Sequence, residues 1–571
     1  MKSQASCFTG CVWKFVGVFM CLVATCVSVV AEVGQGPRGV IATVHPLASA
    51  AGLDAFRRGG NAVDAAVAAG LTLGVVDGFN SGIGGGCFFL ARLASGEVVA
   101  IDGRERAPAL AGRDMYVRDG KWIPGLSQVG ALAVGVPGSL MAYDAACRKH
   151  GRLTLKSHLE RAAELADAGF ELDQNYEMRL RSVADELRLF EGSRNVFFKS
   201  DGRPLATGDL LRQPDLATSY RQLAEHGISW FYSGDFASTL HAWMAENGGL
   251  LTRDDFARYE IRLRKPVVTD YRGYTITGFP PPSSGGIHVA QILNILEKFD
   301  LRDMGPNSVA AIHVIAEAMK LAFADRAFWL GDPDFVDVPP GLVSEEYAAV
   351  LAARIDRKRV VPVPGHGNPD GRGIPPKEQH TTHFTTADAE GNWVACTATV
   401  NTTFGSKVVI PGTGIVLNNQ MDDFSAQPGK PNFFGLVGSE ANSIAPFKRP
   451  LSSMSPTIVT RGGKPVFSVG AAGGPTIISQ VVLAIVNIID FDMGIERALD
   501  QPRFHHQWSP DELRIEGRIG DTVLEELRAL GHKVVVRESI GAAQAIFWDA
   551  TGNRFLGAHD PRVSNGRAEG W

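Results

Sequence analysis

The chain is poor in the residues that would staple it. It has 7 cysteines in 571 residues, and Cys7, Cys11, Cys21 and Cys26 all stand before residue 32. Cys87, Cys147 and Cys396 remain, too few and too scattered for a disulfide framework or a zinc site. A hydrophobic core must therefore hold the fold. Basic charge is not in excess either. Lys and Arg number 56 against 61 Asp and Glu, a formal charge of −5. No cationic field exists to hold a phosphate backbone, which argues against nucleic acid as a partner. Beyond residue 31 no apolar run is long enough to read as a transmembrane helix. No internal repeat is visible. The glycine loop SGIGGG at 81–86 lacks the Lys-Ser/Thr of a phosphate loop and opens a strand instead of a helix. His505, His506 and Trp508 have no third ligand at metal-site spacing and read as packing, so no metal is expected.

What is present is an ordinary globular composition, 45% apolar and 20% charged, with 64 Gly and 31 Pro that imply many loops. The length suits one large or two ordinary domains. At the N-terminus, Lys2 and Lys14 precede the apolar run FVGVFMCLVATCVSVVA, which ends at Ala31. A positive start, an apolar middle and a small final residue read as a secretory signal spanning 1–31, so export to the periplasm or medium is expected. An uncleaved leader anchoring the protein to a membrane is the alternative. Cys26 is a poor lipid-attachment site because Thr25 precedes it.

Along the chain, 46–76 is Ala-rich with helical spacing and is broken by Gly59-Gly60, which predicts two packed helices. SGIGGGCFFLARL turns into a strand whose partner is EVVAIDGRERAP. Segments 151–196 and 214–259 read as amphipathic helices, VVTDYRGYTITG as strand, and IHVAQILNILEKF and VAAIHVIAEAMKLAFADRAFWL as helices. A polar connector covers about 356–380 and is too long for a tight connection, so it is functional or mobile. Beyond it, HFTTADAEGNWVACTATV, GTGIVLNN and KPVFSVGAAG read as strands, ISQVVLAIVNIIDF as a helix, and the C-terminal part as strand–helix–strand. Such an order predicts an α+β fold with sheets layered between helices.

The connector runs into KEQHTTHFTTADAEGNW with no turn residue before the strand. In the VACTATVN that follows, Val394, Cys396, Ala398 and Val400 point one way, and Ala395, Thr397, Thr399 and Asn401 the other. With a turn centred on Glu390-Gly391, paired residue numbers sum to 781 or 782. Thr381 then falls beside Thr399 and Asn401. A polar edge strand would explain the threonines alone, but not the connector. Cleavage before Thr381 would explain both. An N-terminal threonine carries its own base, a free α-amine with a reference pKa of about 7.7–8.0. Inside an intact chain that nitrogen is an amide and cannot act. Attack of the same hydroxyl on the His380 carbonyl would make the cut.

These residues, with GIVLNNQMDDFSAQPG, KRPLSSMSPTIV, GAAGGP, NSGIGGGCFFL, AIDGRERAP and GVPGSLMAY, resemble the γ-glutamyltransferases (glutathione hydrolases) of the N-terminal-nucleophile hydrolase superfamily. The resemblance covers nearly all of the chain after the leader. It implies a four-layer αββα sandwich formed jointly by a large subunit, 32–380, and a small one, 381–571, cut from one precursor. It implies Thr381 as nucleophile, Thr399 supporting it, and Gly473 and Gly474 as the oxyanion hole. Arg104, Ser452 and Ser453 would hold the glutamyl α-carboxylate, and Asn401, Gln420 and Asp423 the α-ammonium group. Taken singly, each has an ordinary explanation as a surface ion pair, turn or cap. The implied reaction needs no cofactor. Thr381 takes the γ-glutamyl group from glutathione or a similar amide and passes it to water, an amino acid or a dipeptide.

Two departures from the family pattern stand out. The lid-like segment PNFFGLVGSEANSIAPFKRP has Phe434 where some relatives have a tyrosine, and Ala471-Ala472 precede the glycines where Ser-Pro is commoner. Cephalosporin acylases and poly-γ-glutamate depolymerases share the layout, and an uncut binding protein is the non-enzymatic alternative. Asp423 favours γ-glutamyl over a glutaryl chain, which has no α-amine to satisfy.

Overall fold

The computed structural model describes residues 33–369, 382–428, 433 and 438–571. Two seven-stranded antiparallel sheets form its centre. The first runs, edge to edge, through Gly34–Gly36, Arg554–His559, Ala542–Asp549, Lys464–Ala472, Thr457–Arg461, Tyr274–Gly278 and Val267–Tyr271. The second runs through Arg567–Gly570, Gly39–Thr43, Thr382–Asp388, Trp393–Thr399, Gly86–Arg92, Val98–Gly103 and Arg262–Arg264. In both sheets, strands from before residue 370 are hydrogen-bonded to strands from after residue 381.

Strand alternation sorts the side chains. Val40, Phe88, Leu90, Trp393, Ala395, Ile458, Ile546 and Phe555 form a core to which both sheets contribute. Phe88 stacks on Phe279 there, with ring centroids 4.2 Å apart. The opposite parity of the second sheet, Ile41, Phe89, Phe384, Val394, Cys396 and Ala398, joins a cluster with helices Pro46–Arg57 and Ala62–Val76. That of the first sheet, Val459, Phe467, Val469, Ala543 and Ala545, joins one with helices Gly285–Leu296, Val309–Trp329 and Thr476–Ile489. Ala62–Val76 is apolar on nearly every face because nearly every face is buried. Asn61 starts it by accepting from the N–H groups of Val63 and Asp64, in a capping box. Among the described residues no helix is long and apolar enough to cross a membrane.

Most expected elements are present, including the two helices split at Gly59-Gly60 and the C-terminal strand–helix–strand, whose strands Leu513–Glu516 and Val534–Arg537 run parallel. Three details differ. Thr382 pairs with Ala398 and Ala387 with Trp393, so paired numbers sum to 780, not 781 or 782. The turn is a three-residue loop, 389–391. The Asp388 carboxylate accepts from the N–H groups of Glu390 and Asn392, and Gly391 takes φ 100°. GTGIVLNN is not a strand and keeps one isolated bridge, Val409 to Val416. Asn418 takes over the pairing there: its side chain donates to the Gly84 and Gly135 carbonyls and accepts from the Gly135 N–H. The first part of the connector is coil, yet it is tied down. Val360 N–H donates to the Leu530 carbonyl, Trp508 Nε1 to that of Val363 at 2.7 Å, and Gly367 N–H to Asp325 at 2.6 Å. The leader, the His380–Thr381 junction and Phe434 lie outside the described residues.

Candidate active site

A cleft of about 1220 Å³ opens at one end of the paired strands Thr382–Asp388 and Trp393–Thr399. Asp77, Asn80, Thr382, Asn401, Phe433 and Gly473 are among the residues that line it. Thr382, the first described residue after the junction, donates its hydroxyl to Asp77 Oδ2 at 3.0 Å. Asp77 ends helix Ala62–Val76, where an acid meets the negative end of the helix dipole. Burial raises its pKa to about 7, against the hydrogen bonds from Thr382 and Asn80, which favour the charged form.

Thr399 closes its strand, and its Oγ accepts the Asn401 N–H at 2.8 Å. Asn401 has φ 80°, a conformation asparagine tolerates better than most residues. Its Nδ2 donates to the Asn419 carbonyl at 3.0 Å. Gln420 and Asp423 open and close one 3₁₀ turn, Gln420–Asp423, so their side chains share a face. Gln420 Nε2 donates to Asp423 Oδ2. Asn401 Oδ1, Gln420 Oε1 and Asp423 Oδ1 are all buried, and none has a hydrogen-bond partner among the described residues. Three acceptors without donors are costly to bury and suit a ligand that only donates.

Arg104 follows strand Val98–Gly103 and is fully buried. Its Nη2 meets Asp423 Oδ2 at 2.7 Å and its Nη1 meets Glu105 Oε2 at 3.3 Å. Nε and Nη2 also donate to the Pro450 and Leu451 carbonyls, each at 3.1 Å. These contacts draw in the chain that leads to Ser452 and Ser453. Sequence reading assigned Arg104 to the α-carboxylate of a ligand and Asp423 to its α-ammonium group; here the two side chains also pair directly with each other. Burial pushes the Asp423 carboxyl well above its usual range despite the arginine, and raises Glu105 to about 7.

Ser452 and Ser453 are buried and already accept from the protein. Ser452 Oγ takes the Met454 N–H at 3.1 Å, and Ser453 Oγ takes Arg326 Nη2 at 3.0 Å. Each hydroxyl proton is thereby left to be donated, which suits an anion. Arg104, Gln420, Asp423, Ser452 and Ser453 do not line the open cleft; they are closed off from solvent, while Asn401 belongs to both regions.

Gly473 and Gly474 follow strand Lys464–Ala472 with φ 129° and 62°, values that favour glycine. A Cβ on Gly473 would lie 2.6 Å from Thr476 Oγ and 3.0 Å from Gly541 Cα. Helix Thr476–Ile489 begins just after, so its first N–H groups, which no helical carbonyl takes, gather at this turn.

Sequence reading missed Asp77, Glu105 and Arg326. A signal for Arg326 existed: it stands in a largely apolar helix that also carries Glu317, Lys320 and Asp325, charges that an apolar helix must pair or put to use. His505 is buried, with Nδ1 on Ser479 Oγ at 2.7 Å and Nε2 on Gln507 at 3.0 Å. One unforeseen cluster, Asp64, Cys147 and His158, lies within 4.8 Å among the described residues. Asp64 there accepts the N–H groups of Asn61, Arg152 and Leu153, and the Arg58 guanidinium faces His158 Nδ1 at 3.5 Å. Those contacts make it a cap rather than a cation site.

With this geometry in place, the relatives are informative. A solved cephalosporin acylase from Bacillus halodurans superposes with a TM-score of 0.84 at 29% identity, over 95% of this chain and 97% of its own. A solved γ-glutamyltranspeptidase from Helicobacter pylori matches with a TM-score of 0.55 at 41% identity, over 56% of this chain and 92% of its own. The fold is thus the α+β class of these N-terminal-nucleophile enzymes. The glutathione hydrolase proenzyme of Escherichia coli (strain K12) is 44% identical over 92% of this chain and 91% of its own, and an acylase ACY 1 proenzyme of Pseudomonas sp. (strain SE83) is 38% identical over 91% of each. The gamma-glutamyltranspeptidase family profile matches residues 48–570. The chain belongs to the γ-glutamyltranspeptidase family, and it is an enzyme.

Proposed function

We propose that the protein hydrolyses glutathione and related γ-glutamyl amides and transfers the γ-glutamyl group to amino acids or peptides, after cutting itself between His380 and Thr381. The observation that carries this reading is the set of unpartnered buried acceptors on Asn401, Gln420 and Asp423, beside a buried arginine and two serines with protons to give. An α-amino acid head group offers the complement: an ammonium with three donors and a carboxylate with only acceptors. Binding would set Asp423 against the ammonium and Arg104, with Ser452 and Ser453, against the carboxylate. The charges on Asp423 and Arg104 would stay compensated throughout, which burial demands.

In the reaction, Thr381 Oγ attacks the γ-carbonyl while the Thr381 α-amine takes the hydroxyl proton. Gly473 and Gly474 N–H groups would hold the oxyanion. The tetrahedral intermediate collapses to a γ-glutamyl ester as the proton passes to the leaving amine. Water or an acceptor amine then attacks the ester, its proton goes to the same amine, and Thr381 leaves with its hydroxyl restored. Thr399 would orient the nucleophile. The large subunit, 32–380, and the small one, 381–571, would remain one αββα body, exported behind the 1–31 leader.

An acylase is the second reading, favoured by the 0.84 TM-score to the cephalosporin acylase. A glutaryl chain would leave the Asn401, Gln420 and Asp423 acceptors without a donor. The test is mass spectrometry and N-terminal sequencing of the purified protein with a Thr381→Ala control, followed by assays on γ-glutamyl and glutaryl amides. The expected result is two fragments, the second beginning at Thr381, a whole control, and preference for the γ-glutamyl amide. An uncut, active protein would refute the mechanism, and preference for glutaryl would establish the acylase reading.

A further inference from the structure

We propose that Arg326 is a positioning residue for the carboxylate end of the substrate, acting through the Ser453 hydroxyl; this rests on the γ-glutamyl reading above. Arg326 sits on helix Val309–Trp329 and is 1% exposed. Its Nη2 donates to Ser453 Oγ at 3.0 Å and its Nε to Ser284 Oγ at 2.7 Å. A guanidinium donates and never accepts, so both serines must accept from it and turn their own protons elsewhere. Ser284 gives its proton to the Ser452 carbonyl at 2.8 Å, and its N–H donates to the same oxygen at 2.6 Å. Arg326 thus holds the backbone of Ser452 at one remove and the hydroxyl of Ser453 directly.

For Ser453 the consequence is directional. Its carbonyl is occupied by the Ser455 hydroxyl at 2.8 Å, and its own hydroxyl proton has no acceptor among the described residues. Without Arg326, Ser453 Oγ could rotate to accept from a neighbour or donate to a backbone carbonyl, and its orientation would have to be fixed by the ligand. With Arg326 in place the proton is aimed before the ligand arrives, which is the advantage of preorganisation. The planar two-edged fork matters as much as the charge, because one group must reach two hydroxyls at fixed angles. Arg326 touches no reacting atom, so its effect belongs on binding.

The test is steady-state kinetics of Arg326→Lys, Ser453→Ala and the double variant on a γ-glutamyl anilide. Arg326→Lys is expected to raise KM about tenfold with kcat within about twofold, the size of one charge-assisted hydrogen bond. In the Ser453→Ala background the same change is expected to leave KM within about twofold, since residues acting through one contact are not additive. An unchanged KM in Arg326→Lys, a fall confined to kcat, or effects that multiply in the double variant would each overturn the proposal. If Arg326→Lys does not fold, Ser284→Ala decides. That variant removes one hydroxyl and one anchor of the guanidinium; it is expected to raise KM about threefold, and an unchanged KM overturns the proposal. A wild-type enzyme inert on the anilide would sink the γ-glutamyl reading itself, whereas an active wild type with an indifferent Arg326 sinks only this inference.

Discussion

Asp423 and Arg104 are both fully buried and meet at 2.7 Å; the arginine is the charge that compensates Asp423, while Glu105 and Asp423 together compensate the arginine. Removing one charge leaves the other stranded in a medium that solvates it badly. Asp423→Asn is therefore expected to lower kcat/KM on a γ-glutamyl amide by about 2–5 kcal/mol in transition-state terms, a loss of roughly 30-fold to several thousandfold. The glutaryl analogue has no ammonium to lose, so its kcat/KM should fall less. Rates on the two amides measured side by side check this. Asp77 makes a prediction about stability. Its folded pKa of about 7 lies above the ordinary aspartate value, so the native state holds a proton that the unfolded chain releases. The contribution is fully present below about pH 4 and is lost as pH rises through about 7. Asp77→Asn cannot ionise. Its thermal stability relative to wild type should improve between pH 5 and pH 8, by an amount of order 2 kcal/mol, readable from melting curves at the two pH values.

At the scale of elements, the turn from strand Lys464–Ala472 into helix Thr476–Ile489 is tightly constrained. Gly473 combines φ 129° with neighbours at 2.6 Å and 3.0 Å from a would-be Cβ. Gly473→Ala is expected to destabilise the protein by about 1–3 kcal/mol and to lower kcat about 10- to 100-fold, because the turn must shift the N–H groups it presents. Calorimetry and turnover measured on the same sample separate the two effects. The hairpin teaches a different lesson. Its parity was legible along the chain, since Val394, Cys396 and Ala398 join the helix-side cluster and Ala395 the core shared by the sheets. Its register was not, because Asp388 folds back on the Glu390 and Asn392 N–H groups and makes a three-residue loop where two were assumed. GTGIVLNN failed as a strand for a related reason. The Asn418 side chain bonds to backbone far away in sequence and replaces the ladder that a strand would need.

For the whole molecule, the second sheet decides how a cut chain would behave. Strand Thr382–Asp388 lies inside that sheet, bonded to Gly39–Thr43 on one side and Trp393–Thr399 on the other. Cleavage before it would sever one covalent link and leave both ladders whole. The two fragments are expected to co-elute as one species under native conditions and to separate only in denaturant. Size exclusion with and without guanidinium checks this. The ties from Gly367 to Asp325 and from Trp508 to Val363 predict further that the end of the large fragment stays docked up to about residue 367 after cleavage, by continuity of those hydrogen bonds. Limited proteolysis should therefore trim it only beyond that point.

What could be read along the chain was whatever repeats over a few residues: the helices on either side of Gly59-Gly60, the in-and-out alternation at 394–401, the glycines before Thr476, and the short motifs around Arg104, Asp423, Ser452 and Ser453. Periodicity, turn chemistry and motif are local, so one dimension is enough to hold them. Folding in three dimensions settled which charge faces which. Arg104 and Asp423 stand 319 positions apart, and Arg326 and Ser453 127 apart. No local pattern records a hydrogen bond across such a span, because its geometry exists only after the sheets have aligned and the helices have closed over them. The same closure leaves Asn401, Gln420 and Asp423 with lone pairs and no described donor, a property of the enclosed volume and not of any one residue.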